Sequence, residues 1–586
     1  MCGICCVVWQ TSTVEESANA PLLGLSSEFL DLLRNRGPDS QKSVELTVPV
    51  VDPLVSTRLL CHGSVLHTRG LVPTAQPVVS SAGDLVLQYN GNIWAGLEAA
   101  TYEEAGTPMF DTDNDTAVLF DCLRRNCGSA EQLLRFLATL EGPYALVVIN
   151  TVNGRLYAAK DVLGRKSLLA SRFRSGKLVL SSVRPSLESD KLVCCEEVPA
   201  GGLLAIDVNR VGLETTFYSL SKHVDWRPVA QVFAEPTCRL SVDSGASDLF
   251  ELNRTIPSSS SEDPTWNLAQ LLSTNLPVVD EFIVRFRDVV KKRVFDTSKK
   301  CRDCVCACFH DPTVGVLFSG GVDSLLIAAL IGHLLADISP AVERASVELI
   351  NVSFADKSPD RLSAIQSAAA LRRLYPEVEF RLIEVDVSTA ELDEWRERRV
   401  GRLVQPSTTV LDDSLGCALW FACRAQGVGG KTAASRVLLH GAGADELLGG
   451  YARHRTRFKA GGFEALIDEL ETELRRLSAR NLGRDDRVAS DSGRECRLPF
   501  LDERLVRWLN ALPIELKCEP RLERGLGEKL LLRLALARLG FDERLATAPK
   551  RAMQFGSRIV QRAGRGGKRR QRADQLCERL MATDDG

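Results

Sequence analysis

The sequence predicts an α/β protein of at least two domains: a strand-rich N-terminal part, then a doubly wound, mostly parallel sheet that continues into a helical C-terminal part. Three observations predict it. At 586 residues the chain is too long for one hydrophobic core. Up to about residue 185, short β-branched and aliphatic runs are broken by turn residues. From residue 313 such runs alternate with helical patterns, which implies parallel strands covered on both faces.

In the first part, residues 44–50, 85–89, 144–152, 156–160 and 177–182 read as strands. Residues 220–280 change character. The stretch 257–264, Pro-Ser-Ser-Ser-Ser-Glu-Asp-Pro, has no apolar period and reads as a linker or exposed insertion. In the second part, strands are expected at 314–318, 347–354, 379–387 and 437–440, with helices at 322–336 and 360–374. Beyond 450 the pattern is helical, with Phe463, Leu466, Ile467, Leu470, Leu474 and Leu477 on one face. The resulting plan is a first domain at 2–185, a connecting region at 186–285, a second domain at 286–560 and a basic polar tail at 561–586.

Composition narrows the class. Hydrophobic residues at 45% and charged residues at 25% are those of an ordinary globular protein. A net charge of −3 gives no global attraction for nucleic acid or an anionic membrane, and the basic run 565–572 reads as a solvated tail. The apolar run 325–336 contains Gly332 and His333 and is too short to span a bilayer. The N-terminus lacks a basic stretch and carries Glu15 and Glu16, unlike a secretory signal. The 18 cysteines therefore read as reduced thiols of a cytoplasmic protein. Cys301, Cys304, Cys306 and Cys308 leave two readings open: a zinc or iron–sulfur site, or a polar lead-in to a strand with no second ligand pair after it.

The N-terminus carries chemistry. With Met1 removed, Cys2 bears a thiol and a free α-amine, a nucleophile with its base attached. An α-amine has a pKa of about 7.7–8, so part of it is neutral near pH 7. Asn90-Gly91 follows a strand and offers a side-chain amide and a backbone N–H for an oxyanion. Arg69 offers a planar fork for a carboxylate. Met1-Cys2-Gly3-Ile4, Arg36-Gly37-Pro38-Asp39, His67-Thr68-Arg69 and Asn90-Gly91 together resemble the class II glutamine amidotransferase domain. The resemblance implies an N-terminal nucleophile-type αββα glutaminase with Cys2 as nucleophile and Asn90 and Gly91 as oxyanion hole. It implies that Arg69 and Asp115 hold the carboxylate and amino group of glutamine. Asn92 stands where the family usually has a Glu that helps bind that amino group. The stretch 161–168 resembles a later family block, with Lys160 and Ser167 departing from it.

The second constellation is Ser319-Gly320-Gly321-Val322-Asp323-Ser324, between a strand and a helix. Backbone N–H groups at a helix N-terminus attract phosphate, although a Ser/Gly-rich turn is also a common plain connection. No Gly-Lys-Ser/Thr follows, so it is not a Walker A loop. It resembles the PP-loop of ATP pyrophosphatases, which split ATP between the α- and β-phosphates and adenylate a carboxylate. Gly443 to Tyr451 (Gly-Ala-Asp-Glu-Leu-Leu-Gly-Gly-Tyr), Arg494 to Asp502 and Gly527-Glu528-Lys529 extend the resemblance to the asparagine synthetase family. The resemblance implies that Leu317, Ser319, Gly320, Gly321, Asp323, Ser324, Gly441, Asp445 and Lys529 bind ATP, with Asp323 and Asp445 meeting Mg2+ through its pyrophosphate complex. It implies a glutamine-hydrolysing ligase: ATP, aspartate and glutamine give asparagine, AMP, pyrophosphate and glutamate. The partners so implied are small molecules, glutamine, ATP and an aspartate-like acceptor, with neither nucleic acid nor membrane; a homodimer is an open expectation.

Two departures fall in the acceptor half. The family has Ser-Gly-Glu-Gly where this chain has His440-Gly441-Ala442-Gly443, which removes a carboxylate base. Its substrate loop carries an Arg where this chain has Leu411, followed by Asp412 and Asp413. Losing a general base costs about 10²–10⁴-fold in rate. The alternative to the ligase is thus an asparagine-synthetase-like protein, repurposed or non-catalytic, that acts by binding or regulation.

Overall fold

The computed structural model describes residues 2–12, 24–70, 72–97, 114–220, 232–233, 237–240, 249–257, 267–297, 314–337, 346–549, 551 and 553–559. The Cys301 to Cys308 cluster, most of the Ser-rich stretch and the basic tail lie outside them.

Two sheets build the N-terminal part, antiparallel except for one parallel edge pair, Thr215–Ser219 with Thr237–Leu240. The first orders its strands Leu192–Glu197, Leu169–Phe173, Leu178–Ser181, Gly3–Ser12, Val55–Val65, Ser40–Pro49. Its central strand pairs from Gly3↔Ser64 to Ser12↔Val55. The second runs Thr237–Leu240, Thr215–Ser219, Gly202–Asp207, Arg155–Lys160, Tyr144–Asn150, Leu85–Gly91, Val78–Val79.

Alternation of side chains decides what each face meets. Ile4, Cys6, Val8 and Leu59 point inward onto Val86, Val147, Leu156 and Leu204 of the other sheet. Cys5 and Val7 point out, onto Phe29 and Leu33 of the helix Ser27–Arg36. On the far side Leu87 and Leu146 meet Leu119, Leu123, Leu133 and Leu137 of the helices Asp115–Asn126 and Ala130–Thr139. Each fully buried Val, Ile or Leu contributes about 1.5–3 kcal/mol to this αββα stack.

The second part centres on a five-stranded parallel sheet ordered Glu379–Asp386, Ser346–Ser353, Val314–Leu317, Val437–Leu439, Glu495–Arg497. The chain leaves Val314–Leu317 toward one edge and returns on its other side. That reversal opens a crevice beyond the carboxyl end of Val314–Leu317, where open α/β sheets bind ligands. The helix Val322–Ala336 is buried nearly all round, and the helix Ala452–Leu477 buries the expected Phe463, Leu466, Ile467, Leu470, Leu474 and Leu477.

Three expectations need correction. The region 186–285 is not a connector throughout: strands at Leu192–Glu197, Gly202–Asp207 and Thr215–Ser219 complete the two N-terminal sheets. Residues 268–280 belong to the 28-residue helix Leu268–Phe295, opened by an Asn267–Gln270 capping box. Pro277 inside it and the polar run Ser273-Thr274-Asn275 obscure its period, but Leu271, Val279, Phe282 and Phe286 are buried. Finally, the segment expected as a substrate loop is the first turn of the helix Val410–Arg424, with Thr409 as its N-cap.

Candidate active sites

At the N-terminal site the strand Leu85–Gly91 delivers Asn90 beside Cys2. The Cys2 nitrogen donates to Asn90 Oδ1 at 2.9 Å, which orients the amide. Its other end, Nδ2, is buried with no partner. A buried unmet donor costs about 1–3 kcal/mol, so it is a preset donor, beside the thiol, for an incoming oxygen. Burial pushes the Cys2 thiol above its ordinary pKa, against the lowering effects of the N-terminal charge, the Leu66 backbone and Arg36. Gln76, absent from the sequence expectations, reaches Cys2 Sγ at 3.8 Å with Nε2 and accepts from Tyr89 N with Oε1.

Arg69 and Asp115 do meet, at 3.7 Å. Asp115 Oδ2 accepts from Tyr89 Oη at 2.8 Å and from Ile93 N at 3.1 Å. Burial nevertheless raises its pKa, opposed chiefly by Arg69. Arg69 also donates to the Ile93 carbonyl and lies 3.1 Å from Asp296, at the end of the helix Leu268–Phe295. Asn92 turns away toward the C-terminal part, donating to Glu495 Oε1 at 2.7 Å.

The turn Arg36 to Asp39 spends its charges across the boundary between the two parts. Arg36 pairs with Asp486 at 2.8 Å, both side chains buried, while its Nε donates to the Cys2 carbonyl. Asp39 pairs with Arg436 at 2.6 Å. Arg165 bonds Asp161 and Glu503. Lys160, one of the departures, pairs with Glu197, and Ser167, the other, donates to it.

At the second site the strand Val314–Leu317 hands over to the helix Val322–Ala336, whose N-cap Gly321 provides no side-chain cap. The first-turn N–H groups therefore stay open to an anion. Gly320 needs φ +75°, and a Cβ there would lie 2.4 Å from Ala364 N. The Ser319 and Ser324 hydroxyls are 3.5 Å apart at the loop's mouth.

Lys529 closes this end. Its ammonium lies 2.6 Å from Asp323 Oδ2 and 2.8 Å from Asp445 Oδ1, and its side chain is fully buried. A left-handed backbone at φ +54°, uncommon and strained for lysine, aims it there. Gly450 leaves room: a Cβ would sit 2.0 Å from Asp445 Oδ1 and 2.2 Å from Lys529 Cε. Two carboxylates converging on an open helix N-terminus fit Mg2+ carried on a polyphosphate, since that ion takes one or two protein carboxylates plus phosphate oxygens. Among the described residues no group of three or more His, Cys, Asp or Glu side chains could hold a metal by itself.

Leu317, Ser319, Asp323, Ser324, Gly441 and Asp445 line one cavity of about 470 Å³, and Ala442 and Leu411 line it too. The acids after Leu411 are committed elsewhere: Asp412 to Arg484, Asp413 to Arg396 at 3.2 Å. Sequence reasoning missed several other charges of the cavity, among them Glu446, Glu473, Arg453, Arg480 and Arg484. Glu446 accepts from Tyr451 Oη at 2.6 Å.

Comparison with known proteins finds two matching domains. The family model for a glutamine amidotransferase domain matches residues 1–220, and that for asparagine synthase matches residues 300–468 and 459–585. Asparagine synthetase domain-containing protein 1 of Mus musculus is 32% identical over 99% of this chain and 100% of its own length. The chain belongs to the asparagine synthetase family. Within that family, the Homo sapiens asparagine synthetase domain-containing protein 1 is 32% identical over 99% of this chain and 98% of its own. The glutamine-hydrolysing asparagine synthetase of Gallus gallus is 26% identical over 77% of this chain and 68% of its own. Among the described residues no helix is long and apolar enough to cross a membrane.

Proposed function

We propose that this asparagine-synthetase-like chain is a glutamine-dependent amidotransferase that adenylates an aspartate-like carboxylate and converts it to an amide. The observation that carries the reading is Lys529 held between Asp323 and Asp445 at the open N-terminus of the helix Val322–Ala336. A scaffold gains little from a strained, buried lysine between two carboxylates, whereas pyrophosphate formation needs that array.

In this reading Cys2, freed of Met1, attacks the glutamine side-chain carbonyl while its α-amine takes the thiol proton. Asn90 Nδ2 and the Gly91 N–H hold the oxyanion. Ammonia leaves, and water cleaves the thioester to glutamate. Arg69 and Asp115 fix the substrate's carboxylate and amino group. At the other end the acceptor carboxylate attacks the α-phosphorus of ATP and pyrophosphate departs. The loop Ser319 to Ser324 cradles phosphate, and Lys529 offsets charge on the leaving group. Asp323 and Asp445 would hold Mg2+ through the phosphates, where it would supply further charge neutralisation. Ammonia then attacks the acyl adenylate, giving the amide and AMP.

A second reading, a repurposed or non-catalytic relative, is favoured by Ala442 and Leu411, which leave the acceptor end of the cavity without the base and the arginine. Aspartate-dependent release of pyrophosphate from ATP, followed with glutamine and with ammonia, separates the two. No release with either nitrogen source rejects the synthetase reading. A Cys2→Ala variant that keeps its glutaminase activity rejects the N-terminal assignment.

A further inference from the structure

Glutamine is a zwitterion, and a site that selects it needs a cation for the α-carboxylate and anions for the α-ammonium. Arg69 is the cation, and this inference rests on that reading of the N-terminal site. The anions are fewer than the chemistry asks for. Asp115 Oδ2 is already taken by Tyr89 Oη and Ile93 N, and burial favours its neutral form. Asn92 is uncharged, and its amide is turned onto Glu495. Glu495 in turn is buried and committed to the protein: Thr68 Oγ1 donates at 2.7 Å, Asn92 Nδ2 at 2.7 Å and Arg497 Nε at 2.6 Å. It has no accessible oxygen for a substrate.

Asp296 is different. Its Oδ1 lies 3.1 Å from Arg69 Nε, and one third of its side chain is exposed, beside an Arg69 that is itself 22% exposed. The α-carboxylate and α-ammonium share one carbon, so a carboxylate beside the Arg69 fork stands where the ammonium must come. Its backbone is fixed from the same side: the Asp296 carbonyl accepts from Arg497 Nη1 at 3.0 Å, and its N–H donates to Lys292 O. We propose that Asp296, a residue outside the glutaminase sheets, supplies a second carboxylate, beside Asp115, that binds the glutamine α-ammonium, so that the glutamine subsite is completed by the helix Leu268–Phe295.

The test uses the full-length chain and two substrates, glutamine and 4-carbamoylbutanoate, which is glutamine without its α-amino group. Asp296→Asn is expected to raise KM for glutamine about 10- to 100-fold, the size of one charged hydrogen bond, and not KM for the analogue. The preference for glutamine over the analogue then falls by the same factor, a change that a loosened fold would not produce. Asp296→Glu, which keeps the charge, is expected to keep most of the preference, and it carries the test if the Asn variant does not fold. An unchanged preference overturns the proposal. So does a lower KM for glutamine, which would make Asp296 a competitor that blocks Arg69. A wild-type chain that releases no glutamate from glutamine fails the earlier reading instead.

Discussion

Asn92 Nδ2 donates to Glu495 Oε1 at 2.7 Å, joining the residue after the oxyanion pair to the last strand of the parallel sheet. Glu495 is buried, which disfavours its charge, but Arg497 and Lys166 outweigh that and hold its pKa at about 2. Its pKa is thus depressed on folding, so the stability it confers is complete above the unfolded value of about 4.5 and is lost as pH falls toward 2. The gap corresponds to about 3 kcal/mol. Urea unfolding between pH 6 and pH 2 is expected to show this loss, and Glu495→Gln, less stable at pH 6, to show a flatter dependence.

The unpartnered Nδ2 of Asn90 makes a separate prediction. Asn90→Ala is expected to lower glutaminase kcat by about 10²–10³-fold, the usual cost of one oxyanion donor. Pyrophosphate release driven by added ammonia should be far less affected. Glutamate formation and pyrophosphate release measured on one preparation give the comparison.

Lys529→Met leaves Asp323 and Asp445 facing each other without a cation. Removing one member of a buried ion pair costs about 3–5 kcal/mol, so the melting temperature is expected to fall. Aspartate-dependent pyrophosphate release is expected to fall about 10²–10³-fold, and glutaminase activity much less. A variant with full pyrophosphate release would remove Lys529 from phosphate chemistry.

The acceptor half can be tested by gain. Ala442→Glu restores a carboxylate to the cavity and is expected to raise aspartate-dependent amide formation about 10-fold or more. Leu411→Arg is expected to lower KM for aspartate. If neither changes turnover while aspartate-dependent pyrophosphate release is intact, the two positions do not limit amide formation.

Legibility in the sequence followed the physics. The strand Val314–Leu317 could be read from an unbroken apolar run buried throughout, and Ser346–Ser353 and Glu379–Asp386 from β-branched and aliphatic residues, although the first of these two also buries Glu348 and Asn351 and the second exposes Arg381 and Asp386. The strand Glu495–Arg497 could not: it is three residues long, and its two buried side chains are charged. The helix Leu268–Phe295 hid behind Pro277, which stands more than two turns inside it. Cys2, Asn90, Asp323 and Asp445 were findable because their chemistry is local to short motifs. Arg36 with Asp486 was not, because the two lie 450 positions apart and only folding joins them. Asp296 and Gln76 carry no motif, and only their distances to Arg69 and Cys2 reveal them.

The boundary between the two parts is stitched by Arg36–Asp486, Asp39–Arg436, Arg165–Glu503 and the contacts of Glu495. Peeled apart, each half would carry away a stranded charge in a place built to be dry. The peptide link between them is therefore the least important connection they have. A chain cut in the Ser-rich stretch 257–264 is expected to run as one particle on a sizing column, whereas either half expressed alone is expected to stick to itself or to chaperones. Such a molecule can lose continuity of its backbone and keep its form, but it cannot be inherited as two independent genes without both products meeting in the same cell.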